Sequence, residues 1–164
     1  MADLRSCSWL IFEVDTQFRF AIPAACVAEI IPSLTLTSLP ACGRFADGVA
    51  NIRGEFITIV NMRRAFSLTE QPIQLTDHFI IVRGPNGQKV GLRVDRAIEL
   101  TPLSLAPKTA GEHAAVHIPF VTTIATHRDE PIMVHDLQEL LAVVTTPPLL
   151  TDKDREPQLQ GANA

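Results

Sequence analysis

Residues 48–62 read GVANIRGEFITIVNM and contain the clearest strand signal in the chain. Gly48 to Ile52 and Glu55 to Val60 are predicted strands that meet at the dipeptide Arg53-Gly54. A two-residue connection that ends in glycine favours a tight hairpin turn, because glycine reaches positive φ without strain. The stretch therefore predicts a β-hairpin with Arg53 at its tip.

Short strands of the same kind are predicted along most of the chain, as apolar or alternating runs bounded by turn residues. They are Ser8–Val14, Phe18–Ile22, Leu34–Ser38, His78–Arg83, Gln88–Val94, Ile118–Thr126 and Pro131–His135. Helical turns are predicted between them. They comprise one or two turns at Ala24–Ile30, a short helix or turn at Met62–Leu68, and a short helix at Leu137–Val143 capped by Asp136.

The two halves of the chain resemble each other. A shift of 70 residues places Glu29 on Glu99, and a shift of 75 places Arg53 on Arg128. Ordered matches of this kind indicate an internal duplication. About five short strands with glycine-containing turns in each half favour small barrels. The predicted fold is all-β, mainly strands with short helices, arranged as two small β-barrels packed together.

The composition suits one globular domain. The 164 residues are 46% hydrophobic and 20% charged, so the chain is long and apolar enough to bury a core. We predict a domain at residues 8–145, with subdomains at about 15–75, together with part of the first strands, and about 76–140. Residues 146–164 contain Pro147-Pro148 and a polar end, which predicts a disordered tail.

Charge and cysteine content exclude several classes of protein. Fourteen basic and 18 acidic residues give a net charge of −4, which disfavours nucleic acid as a partner. We expect no secretory signal and no membrane-spanning segment. Cys7, Cys26 and Cys42 form no CxxC pair, which predicts reduced, buried or partly buried thiols in a cytoplasmic protein.

No catalytic, cofactor or metal site is predicted. The chain has no GxGxxG, GxxxxGK[ST], HExxH or GxSxG motif. His113 and His117 are four residues apart, but Gly111 and Pro119 flank them, so we expect a loop pair rather than a metal site. The sequence therefore predicts a protein that is not an enzyme.

Residues 48–62 resemble the segment G-V-x-N-L-R-G-x-[VI]-x-P-[VI]-[VI]-D-L of the CheW family of chemotaxis coupling proteins. Phe20–Pro23 with Val27–Ile30 resembles the family's Y-G-I-P-V…V-x-E-I, and Val90–Asp95 resembles V-G-L-x-V-D. The resemblance runs from about Trp9 to Leu141 and implies two five-stranded, SH3-like β-barrels around a shared core. The departures are Thr58 in place of Pro, Asn61 in place of Asp, and Thr123 and Asp129 at positions where Gly is typical.

The resemblance implies a non-catalytic scaffold. Such a protein couples the cytoplasmic tip of a methyl-accepting chemoreceptor to the regulatory domain of a CheA-like histidine autokinase, and it reaches membrane receptor arrays only through its partners. Receptor contact is expected at Arg53, Glu29, Val27 and Val49, with Arg53 and Glu29 as an ion pair. Kinase contact is expected on an apolar face that bears Ile31, Leu36, Leu39 and Phe45. Backbone geometry is the expected role of Gly48, Gly54, Gly91 and Asp95.

Two alternatives stay open. One is a CheW-like adaptor of a divergent pathway, such as surface motility, with its own receptor and kinase. The other is a small-ligand-binding or enzymatic β-barrel domain. A pocket lined by perturbed acids and bases would favour the latter, whereas an exposed apolar patch would favour an adaptor.

Overall fold

A computed structural model describes residues 8–40, 42–105 and 120–144. Within them the chain forms strands, two short helices and one 3-10 turn at Ala24–Cys26. The strands are β1 (Ser8–Glu13), β2 (Arg19–Pro23), β3 (Val27–Pro32), β4 (Ala46–Ile52), β5 (Glu55–Asn61), β6 (His78–Arg83), β7 (Lys89–Val94), β8 (Arg96–Pro102), β9 (Val121–His127) and β10 (Glu130–His135). The helices are α1 (Met62–Ala65) and α2 (Leu137–Val144).

The strands form two five-stranded sheets. The central sheet has the order β3-β6-β7-β5-β4, and the terminal sheet has the order β8-β1-β2-β10-β9. Neighbouring strands are antiparallel except for one pair in each sheet, β5 with β7 and β2 with β10. A parallel pair needs a long connection, and each of these pairs joins strands from different halves of the chain.

Each sheet encloses an apolar interior of its own. The interior of the central sheet contains Ala50, Ile52, Ile57, Ile59, Phe79 and Ile81. The interior of the terminal sheet contains Ile11, Ala21, Leu103, Ala125, Ile132 and Val134. A larger cluster packs residues of both sheets, such as Phe12 and Leu92, with Leu140 of α2. The expected all-β fold, two five-stranded barrels around a shared core, is confirmed; we call the two units the central barrel and the terminal barrel.

The internal duplication extends to strand register. Glu29 on β3 lies opposite Ile81 on β6, and Glu99 on β8 lies opposite Ile11 on β1. These two pairs are 70 residues apart, as the sequence comparison predicts. The strand order of one sheet becomes that of the other when every strand is replaced by its counterpart. Equivalent residues therefore occupy equivalent positions in the two barrels.

The barrels do not follow the predicted division at about residue 75. The central barrel takes β3, β4 and β5 from the first half and β6 and β7 from the second, whereas the terminal barrel takes β1 and β2 with β8, β9 and β10. The halves thus exchange their first two strands. Sequence similarity between the halves identifies equivalent strands, but it does not show which copy each strand pairs with. The limits 8–145 stay a prediction.

Two local predictions are corrected. Of the helical turns predicted at Ala24–Ile30, only Ala24–Cys26 is helical, because Val27 onward pairs with β6 as an antiparallel strand. β-branched Val27, Ile30 and Ile31 suit a strand better than a helix. Leu34–Ser38 is not a strand; it makes a single bridge, between Thr37 and Val49.

The short helices begin where the sequence predicts. The Asn61 side chain accepts a hydrogen bond from the Arg64 backbone N–H at 3.2 Å, so Asn caps α1 where the family has Asp. The Asp136 carboxylate accepts bonds from the backbone N–H groups of Gln138 at 2.9 Å and Glu139 at 3.2 Å. The buried leucines of α2, at 137, 140 and 141, then face the shared core.

Several predictions fall on residues that the structure does not describe. Cys7, the pair His113 and His117, and the tail at 146–164 all lie outside the described ranges. Cys26 and Cys42 are partly buried free thiols.

Candidate functional site

The turn between β4 and β5 places Arg53 at an exposed tip. Arg53 has φ of 52° and Gly54 has φ of 85°, so both central residues are left-handed, as in a type I′ hairpin turn. The Asn51 side chain accepts a hydrogen bond from the Gly54 backbone N–H at 2.9 Å. The predicted hairpin is present, with Gly54 in a left-handed conformation at its turn, and the Asn51 side chain fixes this turn.

Arg53 and Glu29 form an ion pair between the two edge strands of the central sheet. The Arg53 Nη1 atom lies 2.9 Å from the Glu29 Oε2 atom, and the side chains are 78% and 23% exposed. Because β3 and β4 are the edges of this sheet, the pair joins them at one end of the barrel. An exposed pair of this kind stabilises a fold by only about 0–1 kcal/mol. Because the Arg53 side chain is 78% exposed, its guanidinium stays accessible to a partner.

Val27 and Val49 lie on the same two strands but do not form an exposed rim. Val27 is half-buried against the shared core, and Val49 is buried. Val49 exchanges backbone hydrogen bonds with Thr37 at 2.8 and 2.9 Å. A Cβ atom on Gly48 would lie 2.6 Å from the Thr37 carbonyl oxygen, so only glycine permits this approach. Gly48 therefore lies where the backbone of Thr37 leaves no room for a side chain.

The terminal barrel carries a counterpart of the Arg53–Glu29 pair. Arg128 has the same φ of 52°, and its Nη2 atom lies 3.2 Å from Glu99 Oε2. The side chains are 74% and 27% exposed, close to the values for Arg53 and Glu29. Asp129 takes φ of 64° where Gly54 stands in the other turn. His127 adds a contact of 2.9 Å from Nε2 to Glu99, at the position that Ile52 occupies in the central barrel.

The four residues expected to contact the kinase do not form one exposed face. Ile31 and Leu36 pack against the interior of the central barrel, and Phe45 packs against the shared core with Arg44 above its ring. Of the four, Leu39 is exposed. Ile31 points inward because it lies opposite Phe79, an interior residue.

Gly91 and Asp95 have structural surroundings. A Cβ atom on Gly91 would lie 2.3 Å from Ile59 Cδ1 inside the central barrel. Asp95 accepts a hydrogen bond from the Asp15 backbone N–H at 2.9 Å and pairs with the Arg63 guanidinium. Asp95 thus ties the turn after β1 to α1, consistent with its expected role in backbone geometry.

Two exposed apolar residues near Arg53 were not predicted as site residues. Ile30 is exposed beside Glu29 on β3, and Phe56 is 75% exposed three residues after Arg53. The strand period gives the signal for Phe56: it lies opposite exposed Asn51, whereas Ile57 points into the barrel. Phe56 adds an exposed apolar group next to the charged hairpin tip, whereas Ile30 points to the face of β3 opposite to Glu29.

Buried His135 is the one described group with a strongly shifted pKa. Its Nδ1 atom donates to the Phe120 carbonyl oxygen at 3.0 Å, and its ring lies 4.9 Å from the ring of Phe20 and 4.8 Å from that of Phe66. Burial lowers its pKa from 6.5 to about 4, against a smaller raising effect of the Phe120 hydrogen bond. His135 is therefore a neutral core residue near pH 7.

Residues 8–40, 42–105 and 120–144 contain neither a cluster of metal-ligating side chains nor a membrane-spanning helix. No group of three or more His, Cys, Asp or Glu residues is placed to hold a metal ion. No helix in these ranges is long and apolar enough to cross a membrane.

Comparison with known proteins gives consistent matches. The family model "CheW-like domain" matches residues 8–145. The chain is 26% identical over 100 residues to the chemotaxis protein CheW of Helicobacter pylori, covering 58% of this chain and 60% of that protein. It is 29% identical over 89 residues to the chemotaxis protein CheW of Thermotoga maritima, covering 54% and 57%. These alignments span roughly half to three fifths of the curated relatives' length.

A solved structure shares the fold. The crystal structure of the scaffolding protein TtCheW from Thermoanaerobacter tengcongensis superposes with a TM-score of 0.71 at 25% identity, over 88% of this chain and 94% of that one. The family model covers most of the chain, and the fold, the NxRG turn and the duplicated barrels agree with it. The chain belongs to the CheW-like domain family.

Proposed function

We propose that this protein is a non-catalytic adaptor of chemotaxis signalling. It couples the cytoplasmic tip of a chemoreceptor to a CheA-like histidine autokinase, and it acts in the cytoplasm. The observation that carries this proposal is the CheW-like family match over residues 8–145 on a matching two-barrel fold. The named relatives are chemotaxis CheW proteins, and the structural relative is a scaffolding protein.

The receptor surface in this proposal is the tip of the hairpin β4–β5 with the adjacent part of β3. Arg53 and Glu29 supply paired charges there, and Phe56 supplies exposed apolar area. Arginine suits such a contact because its planar guanidinium can bind a carboxylate while it keeps a second hydrogen bond. Val27 and Val49 are too buried to contact the receptor, and in this proposal they pack beneath the residues that do.

An adaptor must hold both partners at the same time. The direct test is a mixture of the protein with the purified histidine autokinase and a soluble receptor fragment of the source organism, analysed by sedimentation velocity. We expect a ternary complex that is larger than either binary complex. Competition between kinase and receptor, or the absence of both binary complexes, would overturn the adaptor proposal.

A further inference from the structure

The Asn51 side chain restrains the turn that carries Arg53. Strand pairing in the β4–β5 hairpin ends with the pair Ile52 and Glu55, so the backbone N–H of Gly54 lies in the turn, outside this pairing. The Asn51 Oδ1 atom accepts a hydrogen bond from that N–H at 2.9 Å. Arg53 lies within the short loop of chain that this bond closes. The bond therefore restrains the backbone on both sides of Arg53.

Arg53 has few restraints of its own. Its φ of 52° lies in the left-handed region, which residues with a Cβ atom rarely adopt. Its side chain is exposed and pairs with Glu29 at 2.9 Å, an interaction that contributes little at a surface. Packing thus does little to hold Arg53 in place, and the order of the tip depends on hydrogen bonds within the turn.

The terminal barrel contains the same turn without this side-chain bond. Arg128 has φ of 52° and Asp129 has φ of 64°, so both central residues of that turn are left-handed as well. The residue equivalent to Asn51 is Thr126, 75 positions later. In the part of the chain that the structure describes, no side-chain hydrogen bond of Thr126 crosses the turn. The backbone shape can therefore form without such a bond.

The bond is thus present at the turn of the receptor surface and absent from its counterpart. Because the same shape forms in both turns, the difference points to binding rather than to folding. A partner that binds Arg53 must immobilise the tip of the hairpin. A tip that is already restrained loses less conformational entropy on binding, so the complex is tighter.

We propose that Asn51 is a positioning residue for receptor binding, which acts through Arg53. Its hydrogen bond to Gly54 keeps the tip in the conformation that the receptor binds, and the Asn51 side chain does not itself contact the receptor. This inference rests on the proposed adaptor function and on Arg53 as the contact residue. A single neutral hydrogen bond contributes modestly, so its loss should weaken receptor binding by about two- to tenfold.

The first test is a double-mutant cycle between Asn51 and Arg53. Surface plasmon resonance on an immobilised receptor fragment compares the wild-type protein with Asn51→Ala, Arg53→Ala and the double variant. Asn51→Ala should weaken binding by about two- to tenfold when Arg53 is present. It should change binding by less than about twofold when Arg53 is already Ala, because the restrained turn then presents no guanidinium.

Thr126→Ala is the matched control for Asn51→Ala. It removes the side chain at the equivalent position of the terminal barrel, and it should bind the receptor fragment as the wild-type protein does. Asn51, Arg53 and Thr126 are all exposed, so the variants should keep the wild-type thermal midpoint.

Amide exchange measured by nuclear magnetic resonance reports on the bond without any receptor. The Gly54 N–H should exchange faster in Asn51→Ala than in the wild-type protein, whereas the paired amides of β4 and β5 should exchange at unchanged rates. Asn51→Asp keeps an acceptor oxygen and should keep the slow exchange of Gly54.

Either of two results would overturn this inference alone. One is wild-type affinity in Asn51→Ala. The other is an equal loss of affinity with and without the Arg53 side chain, which would make Asn51 a direct contact of the receptor. If the wild-type protein does not bind the receptor fragment, the adaptor proposal itself is wrong, and this inference falls with it.

Discussion

Arg53 can be tested against a residue with the same local structure. Arg53→Glu places a second carboxylate beside Glu29, so it should weaken binding of a receptor fragment by about tenfold or more. The free energy of unfolding should change by only about 0.5–1 kcal/mol, because the side chain is exposed. Surface plasmon resonance on immobilised receptor fragment measures the first effect, and urea unfolding measures the second.

Arg128→Glu is the matched control for Arg53→Glu. It has the same backbone conformation and the same kind of ion pair, but it lies on the terminal barrel. We expect Arg128→Glu to keep receptor binding. Equal losses in the two variants would indicate that both ion pairs act by joining the edges of their barrels, and that Arg53 does not contact the receptor.

His135 predicts a pH dependence of stability. Burial lowers its pKa from 6.5 to about 4, so between these values the unfolded chain binds a proton that the folded chain does not. The free energy of unfolding should therefore fall as pH decreases from 6.5 towards 4, by about 3 kcal/mol in total from this residue. Stability curves from urea unfolding at several pH values measure this slope.

His135→Phe separates this residue from the carboxylates that also titrate in acid. The replacement keeps an aromatic ring between Phe20 and Phe66 and removes the proton-binding site. The variant should show a shallower fall in stability between pH 6.5 and 4. A slope identical to that of the wild-type protein would show that His135 does not cause it.

At the scale of single residues, the sequence predicts turns better than surfaces. The Arg53-Gly54 turn and the Arg53–Glu29 pair follow from the local motif and its family resemblance. The residues expected to contact the kinase do not share one exposed face, because the exposure of a side chain depends on strand pairing. Simple alternation places Val27 and Glu29 on the same face of β3, because they are two residues apart. A bulge between them instead puts Val27 opposite Val82 and Glu29 opposite Ile81, which lie on different faces of β6. The matches of Glu29 to Glu99 and Arg53 to Arg128 did contain the signal for the second ion pair.

At the scale of elements, the contact of β7 with β5 depends on Gly91. A methyl group there would overlap the Ile59 side chain, whose Cδ1 atom would be 2.3 Å away. Gly91→Ala should therefore destabilise the protein by about 1–3 kcal/mol in thermal or urea unfolding. Adding Ile59→Val removes the overlapping methyl group and should recover part of the loss. Failure of the double variant to recover any stability would show that the overlap is not the cause.

The elements themselves were largely predictable because they are short and clearly bounded. Strands such as β6 and β7 and the Asp136 cap of α2 follow from local pattern and turn chemistry. The residues after Cys26 were misassigned: Val27 onward pairs with β6, as its β-branched residues favour. Leu34–Ser38 was predicted as a strand, but in the structure only Thr37 pairs with another strand, through an isolated bridge to Val49.

At the scale of the whole molecule, neither half of the chain contains a complete sheet. A chain cut after Leu75 separates β1–β5 from β6–β10, and each sheet then lacks strands. We expect each fragment alone to lack cooperative thermal unfolding, and an equimolar mixture to recover the far-ultraviolet circular dichroism of the intact protein. Cooperative unfolding of either fragment by itself would contradict the exchange of strands as the basis of stability.

The exchange of strands between halves also affects how the protein is made. The ribosome completes β1 and β2 long before β8 and β10, which flank them in the terminal barrel. At typical synthesis rates the interval between β1 and β8 is roughly 5–20 s. During that interval the nascent hairpin of β1 and β2 has unpaired outer edges, which can pair with another nascent chain. Translation speed and chaperone supply should therefore limit the yield of this protein before its equilibrium stability does.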